Sequence, residues 1–241
     1  MVPNRQKNNI AIILLDIFER LQQQYGDQHW WPGETPFEII VGAILTQSTA
    51  WKNVEKAIAN LKRENLLNNQ ALLKINEKKL AQLIRSSGYF NAKAKKLKSF
   101  VHFLQTRYQG SLKKMFAIPL PELRKELLTV HGIGEETADS ILLYAGNKPI
   151  FVIDAYTKLI CSRLGLVKPE MNYQELQRLF MHRLPTNRKL FNEYHALLVA
   201  FGKNQCTKRP NCVLCILKDH CQYSRSKESL SGFMGNIGSG D

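Results

Sequence analysis

Cys206, Cys212, Cys215 and Cys221 place four thiols in one short stretch, spaced C-x5-C-x2-C-x5-C. Four soft thiolates that close in sequence can wrap one Zn²⁺ or one [4Fe–4S] cluster. Structural zinc sites usually show two close C-x2-C pairs. Here only the middle pair is close, and the open loops on either side suit the larger cubane better. Cys161 lies far upstream in an apolar helical stretch and reads as a core thiol. A second candidate is Asp154, which ends the apolar run Ile150-Phe151-Val152-Ile153 just ahead of a helical segment. It is placed to cap that helix. A carboxylate between partly buried walls can also stabilise a developing sugar oxocarbenium ion and orient a water. A third is Gly132-Ile133-Gly134, joining two helical stretches. Its glycines permit a tight turn, and the N–H groups opening the next helix can accept an anionic oxygen such as a nucleic-acid phosphate. The same glycines would equally serve a plain helical corner. Glu135 and Glu136 fall in the first turn that follows, where acidic residues complement the helix dipole.

The elements that must carry these residues read as helices. Apolar residues recur at helical spacing in 10–25, 51–61, 72–84, 92–108 and 120–128. The same pattern returns in 141–145, 156–164, 173–183 and 191–201, and 37–45 is apolar throughout. Residues 29–36 hold two prolines and a glycine and read as a loop. Alternating runs are nearly absent, so the expected class is all-α, many short helices with short connections. No solenoid-period repeat is visible. Residues 224–241, rich in Ser, Gly and Lys, have the composition of a disordered tail.

The chain has 241 residues, with 34 Lys and Arg against 20 Asp and Glu, a net charge of +14. Apolar residues make up 44%, which excludes a disordered chain. The charge points to a polyanionic partner, and Lys203, Lys208, Arg209, Lys218, Arg225 and Lys227 concentrate it around the cysteines. Lys93, Lys95, Lys96 and Lys98 read as a solvated basic helix face, some of which reaches phosphate. The apolar stretch 10–17 is too short to span a membrane and ends among Asp16, Glu19 and Arg20. The first nine residues lead into no signal-peptide pattern, so the expected location is the cytoplasm, or the nucleoid in a prokaryote.

Taken in order, Leu45-Thr46-Gln47-Ser48-Thr49, Gly132-Ile133-Gly134-x-x-Thr137-Ala138, Val152-Ile153-Asp154 with Arg163-Leu164-Gly165-Leu166, His195-Ala196-Leu197-Leu198 through Gly202, and the four cysteines resemble the helix-hairpin-helix DNA glycosylases of the endonuclease III superfamily. The resemblance runs over about residues 10–223. It implies a two-lobed all-α fold. A six-helix barrel with the hairpin would span 32–148, and 1–31 with 149–223 would form a second helical lobe carrying the cysteine loop. DNA would lie across the cleft as a monomeric protein flips the damaged nucleotide into it. By the same resemblance Asp154 is the catalytic aspartate, Gln47 fills the gap left by the flipped base, and Gly132 and Gly134 grip the backbone. Lys93 and Lys208 join the DNA contacts, and Cys206, Cys212, Cys215 and Cys221 bind [4Fe–4S] rather than zinc. The first cysteine spacing is one residue shorter than the family's usual C-x6-C.

Strand-cleaving members carry a lysine two residues after the second hairpin glycine. This chain has Glu136 there, and a carboxylate cannot form a Schiff base, so excision without lyase activity is expected. Trp30-Trp31-Pro32, Trp51 and Gly88-Tyr89-Phe90-Asn91-Ala92-Lys93 resemble the 3-methyladenine branch, which implies a pocket lined by Trp30, Trp31 and Trp51. A cationic alkylated purine stacks well between such electron-rich rings, although tryptophans near loops also serve as core lids. Activity on oxidised pyrimidines or on mismatched thymine or uracil, and a non-enzymatic DNA binder, are the competing expectations.

Overall fold

The computed structural model describes residues 4–226, with side chains from Ile10 onward. Among the described residues the helices are α1 (Asn4–Tyr25), α2 (Pro36–Leu45), α3 (Trp51–Arg63), α4 (Asn69–Lys74), α5 (Glu77–Leu83), α6 (Phe90–Tyr108), α7 (Leu112–Ala117), α8 (Leu120–Leu127), α9 (Glu135–Ser140), α10 (Ala155–Leu164), α11 (Tyr173–Arg183) and α12 (Arg188–Asn204). No strand forms among the described residues, and no helix there is long and apolar enough to cross a membrane. Of the expected tail, residues 224–226 are helical and Ser224 is buried, while 227–241 lie outside the described residues.

The chain divides into two compact units, Trp31–Ile150 and a second made of Met1–Trp30 with Phe151–Asp241. In the Trp31–Ile150 unit, α2 is the buried centre. Thr35 caps it by accepting the Glu38 N–H at 3.1 Å, Pro36 supplies a pre-set first turn, and the six consecutive apolar or small residues from Ile40 to Leu45, together with Phe37, are almost wholly enclosed. It contacts α3, α6 and α9. The helical stretch expected over 72–84 is broken into α4 and α5 because the Asn76 side chain accepts the Lys78 N–H at 2.8 Å and starts a new helix. Beyond α9 the chain widens into a π-type turn over Ile141–Ala145, all five residues buried.

In the other unit α1 lays Leu14, Ile17 and Leu21 against α11 and α12. The apolar run before Asp154 is extended, yet it pairs with no strand. Its backbone is satisfied by side chains: Gln177 donates to the Phe151 carbonyl at 2.7 Å and the Ile153 N–H donates to the Tyr173 hydroxyl at 3.3 Å. Phe151 stacks on Phe180 with centroids 4.1 Å apart and meets Phe191 and Tyr194 edge-on. That aromatic core fixes the segment that delivers Asp154.

Candidate active site and nucleic-acid interface

Asp154 caps α10. Its Oδ1 accepts two hydrogen bonds from Thr157, from the N–H at 2.7 Å and from the hydroxyl at 2.8 Å. One carboxylate oxygen is therefore pinned. The other, Oδ2, stands 3.9 Å from Nε2 of His195, and the Asp154 side chain keeps 13% exposure. His195 reaches this point because it and Gly202 lie two turns apart on one face of α12. A Cβ at Gly202 would fall 2.3 Å from Cδ1 of Tyr156, so the glycine lets α12 press onto the start of α10. Burial holds the His195 imidazole below its usual pKa, partly opposed by the Asp154 charge. The same buried setting, with Asp154 close by, pushes the Cys161 thiol up to about 12, which keeps it an inert core group. His195 was visible in the sequence only as part of a motif. Its facing of Asp154 depends on the α10–α12 crossing.

In the same unit the four cysteines of the C-terminal loop line one cavity with Arg163, Leu217, Tyr223 and Ser224. Arg163 organises the wall. Its guanidinium donates to Sγ of Cys206 at 3.2 Å and to the Thr207 carbonyl at 2.7 Å, and it stacks on Tyr223 at 4.8 Å. Cys221 Sγ donates to the Arg163 carbonyl at 3.3 Å. Among the described residues no three His, Cys, Asp or Glu side chains converge on a point that could hold a single metal ion. Lys208 and Arg209 are exposed on this loop, whereas Lys227 lies outside the described residues.

In the Trp31–Ile150 unit the glycine hairpin forms as expected between α8 and α9. Gly132 takes φ +82°, and a Cβ there would lie 2.2 Å from Cγ of Lys96, so a side chain is excluded twice over. Gly134 opens α9 without a side-chain cap, and a Cβ there would meet nothing within 4 Å. The ends of the hairpin are tied by Arg124 to the fully buried Asp139, with bonds of 2.7 and 3.0 Å. Glu136 is exposed in the first turn of α9. The side chain of Gln47 lies on this hairpin, donating to the Gly132 carbonyl at 3.0 Å and to the Thr137 hydroxyl at 2.9 Å.

Three of the four lysines depart from the expected solvated face: Lys96, whose ammonium reaches the Gln47 amide oxygen, and Lys93 and Lys98. Lys93 is 2% exposed and donates to the Leu45 carbonyl at 2.9 Å and to the Ser87 carbonyl. It therefore does not present its ammonium to a phosphate. Burial, with a smaller contribution from the Lys96 charge, lowers its pKa to about 8. Lys98 bonds the Leu72 and Leu73 carbonyls at 2.9 Å each, closing the end of α4. Lys95 alone of the four is exposed. Tyr89 enters the sequence reading only as a member of the Gly88–Lys93 motif, with no role of its own; it is 75% exposed with φ 45° immediately before α6. An exposed aromatic held in the left-handed region beside a basic helix start is the signal that marks it.

The three tryptophans separate. Trp31 meets Trp51 edge-on at 5.3 Å and Tyr144, from the π-type turn, at 5.1 Å, with Gly42 beneath them. Trp30 belongs to the other unit, where Lys203 lies 5.7 Å from its ring centre.

An all-α scaffold carrying a glycine hairpin and an aspartate that caps a helix matches the class of fold expected from the sequence. The chain belongs to the HhH-GPD superfamily of base excision DNA repair proteins, whose shared pattern matches residues 41–186. It is 45% identical over 217 residues to a Methanocaldococcus jannaschii protein bearing the name of a DNA repair glycosylase, covering 89% of this chain and 98% of that one. It is 31% identical over 196 residues to endonuclease III of Thermotoga maritima, covering 80% and 85%. Among solved structures, an endonuclease III–DNA complex shares the fold with a TM-score of 0.79 at 21% identity, over 91% of this chain and 98% of that one. The H. pylori 3-methyladenine DNA glycosylase bound to 1,N6-ethenoadenine superposes with a TM-score of 0.69 at 30% identity, over 82% and 97%. The chain is thus a DNA glycosylase, an enzyme that hydrolyses the N-glycosyl bond between base and sugar.

Proposed function

We propose that this glycosylase is monofunctional and removes cationic, alkylated purines of the 3-methyladenine type from duplex DNA. The observation that carries this reading is a pinned carboxylate at Asp154 combined with a glutamate, not an amine, at position 136 of the hairpin. With Oδ1 held by Thr157, the Asp154 charge is fixed where it can stabilise positive charge building on the sugar as the base departs, and water completes the hydrolysis. An alkylated purine carries its own positive charge and leaves readily, so the enzyme need not activate it by protonation. The Trp31, Trp51 and Tyr144 rings supply electron-rich faces suited to such a cation. The 30% identity to a 3-methyladenine glycosylase supports the same substrate class. Gly132, the open approach at Gly134, the exposed Lys208 and the exposed Tyr89 suit backbone grip and stacking on an unpaired base.

Duplexes carrying single lesions test the substrate. Release of 3-methyladenine or 7-methylguanine at rates at least about 100-fold above those for thymine glycol, or for uracil opposite guanine, is expected, a gap of the size one unmatched site interaction can produce. The reverse order would assign the chain to oxidised-pyrimidine repair, which the likeness to endonuclease III of T. maritima favours.

The cysteine loop fits a [4Fe–4S] cluster. Four thiols ring one cavity, a guanidinium N–H is directed at one sulfur, and the buried Ser224 hydroxyl on the wall has no hydrogen-bond partner among the described residues. Cys206, Cys212, Cys215 and Cys221 would hold it, and its contribution would be to tie the basic loop into a fixed shape. The purified protein is expected to be brown with broad visible thiolate-to-iron absorption. Cys212→Ala is expected to lose the band and lower the melting temperature, while a colourless, zinc-loaded wild type would overturn the assignment.

A further inference from the structure

Gln47 is held from three sides within the Trp31–Ile150 unit. Both amide hydrogens are engaged, one by the Gly132 carbonyl at 3.0 Å and one by the Thr137 hydroxyl at 2.9 Å. The amide oxygen accepts from the Lys96 ammonium. The Lys96 stem lies flat on Gly132, filling the space a Cβ would need. One turn earlier on α6, Lys93 fixes the Leu45 carbonyl, two residues before Gln47. A single helix therefore sets both the backbone that carries Gln47 and the direction of its side chain, and the hairpin forms the other wall.

We propose that Lys96 is a positioning residue for damage recognition: together with Thr137 and the Gly132 carbonyl it holds the Gln47 side chain in one place on the hairpin, so that gripping the DNA backbone and entering the duplex are performed by one pre-ordered unit. This rests on the reading that Gln47 fills the gap left by a flipped base. An unheld glutamine loses several rotamers on entering a duplex, and a glutamine already ordered by folding does not. The Lys96 charge is spent on protein, so its role differs from that of a lysine that neutralises a phosphate. A phosphate contact strengthens binding to every duplex alike. A holder of Gln47 strengthens binding only where there is a gap to fill.

The test is a double-mutant cycle on the ratio of affinities for a duplex with a tetrahydrofuran abasic analogue and for the same duplex intact. Lys96→Met keeps the stem over Gly132 and removes the ammonium. It is expected to lower the ratio about five- to tenfold, the scale of ordering one long side chain. In a Gln47→Ala background the same change is expected to have no effect on the ratio, because contacting residues are non-additive. Equal weakening toward both duplexes, persisting in the Gln47→Ala background, would overturn the proposal and make Lys96 a phosphate contact. Solvent exchange of the Gln47 side-chain amide protons, followed by NMR without DNA, provides a second readout. Faster exchange in Lys96→Met than in wild type supports the hold, and unchanged exchange overturns it. Should wild type show no preference for the abasic duplex, the gap-filling reading of Gln47 fails on its own, and the exchange measurement still decides whether Lys96 holds the side chain.

Discussion

Replacing Asp154 with asparagine is expected to abolish base excision and leave the protein folded. The carboxylate carries two roles that ordinary mutations would confuse. As a cap, its Oδ1 takes both hydrogen bonds from Thr157 at the start of α10. An asparagine oxygen accepts the same two bonds, so the cap survives. The opposing atom, Oδ2, faces His195, whose burial disfavours the charged imidazolium. Exchanging Oδ2 for an amide nitrogen therefore does not strand a buried cation. What is lost is the negative charge beside the developing oxocarbenium ion, and removal of one fixed group of this kind typically costs about 10²–10³ in rate. Single-turnover excision should fall by at least that factor, with the melting temperature within a degree or two of wild type. Asp154→Ala removes the cap as well, at about 1 kcal/mol, which for a chain of this size lowers the melting point by about 2–4 °C. Excision that survives in Asp154→Asn would leave Asp154 as a cap alone.

Why Asp154 could be picked out from the sequence, and Lys93 could not be placed, comes down to how local each signal is. An apolar run ending in Asp at a helix start has a local physical meaning, and the structure puts a capping carboxylate there. The hairpin is equally local, since two glycines spaced by one residue between helical stretches require a tight turn. Lys93 is different. On α6 it shares the buried side with Ala94, Leu97, Phe100, Val101 and Leu104, and that periodicity could have warned that it points inward. Nothing local says that carbonyls from Leu45 and Ser87 would converge to receive its ammonium. The run before Asp154 misleads in the opposite way. Its β-branched residues suit an extended backbone, but the partners that satisfy it are side chains of α11 rather than another strand. Tyr144 joins Trp31 and Trp51 only because a π-type turn carries it there, and no spacing rule announces such a turn.

The wild-type enzyme is expected to leave no covalent complex when borohydride is added during turnover, and to leave abasic sites that break only on treatment with alkali. A Schiff base requires an unprotonated amine at the sugar carbon, and the hairpin offers Glu136 where strand-cleaving relatives by resemblance hold their lysine. Glu136 is exposed in the first turn of α9, so Glu136→Lys should be tolerated by the fold, with the lost helix-dipole interaction costing roughly 0.3–1 kcal/mol. That substitution is expected to create a trappable adduct. It should also be slow: an ordinary lysine with a pKa near 10.4 is about one part in a thousand free amine at pH 7.4, so nicking should trail base release by about that factor and rise tenfold per pH unit. The slope matters as much as the rate, because hydroxide-driven breakage of abasic sites rises with pH too but leaves nothing for borohydride to trap. A trapped complex with wild type would mean that another amine of the chain reaches the sugar, and the monofunctional assignment would fall even if the alkylated-purine substrate stood.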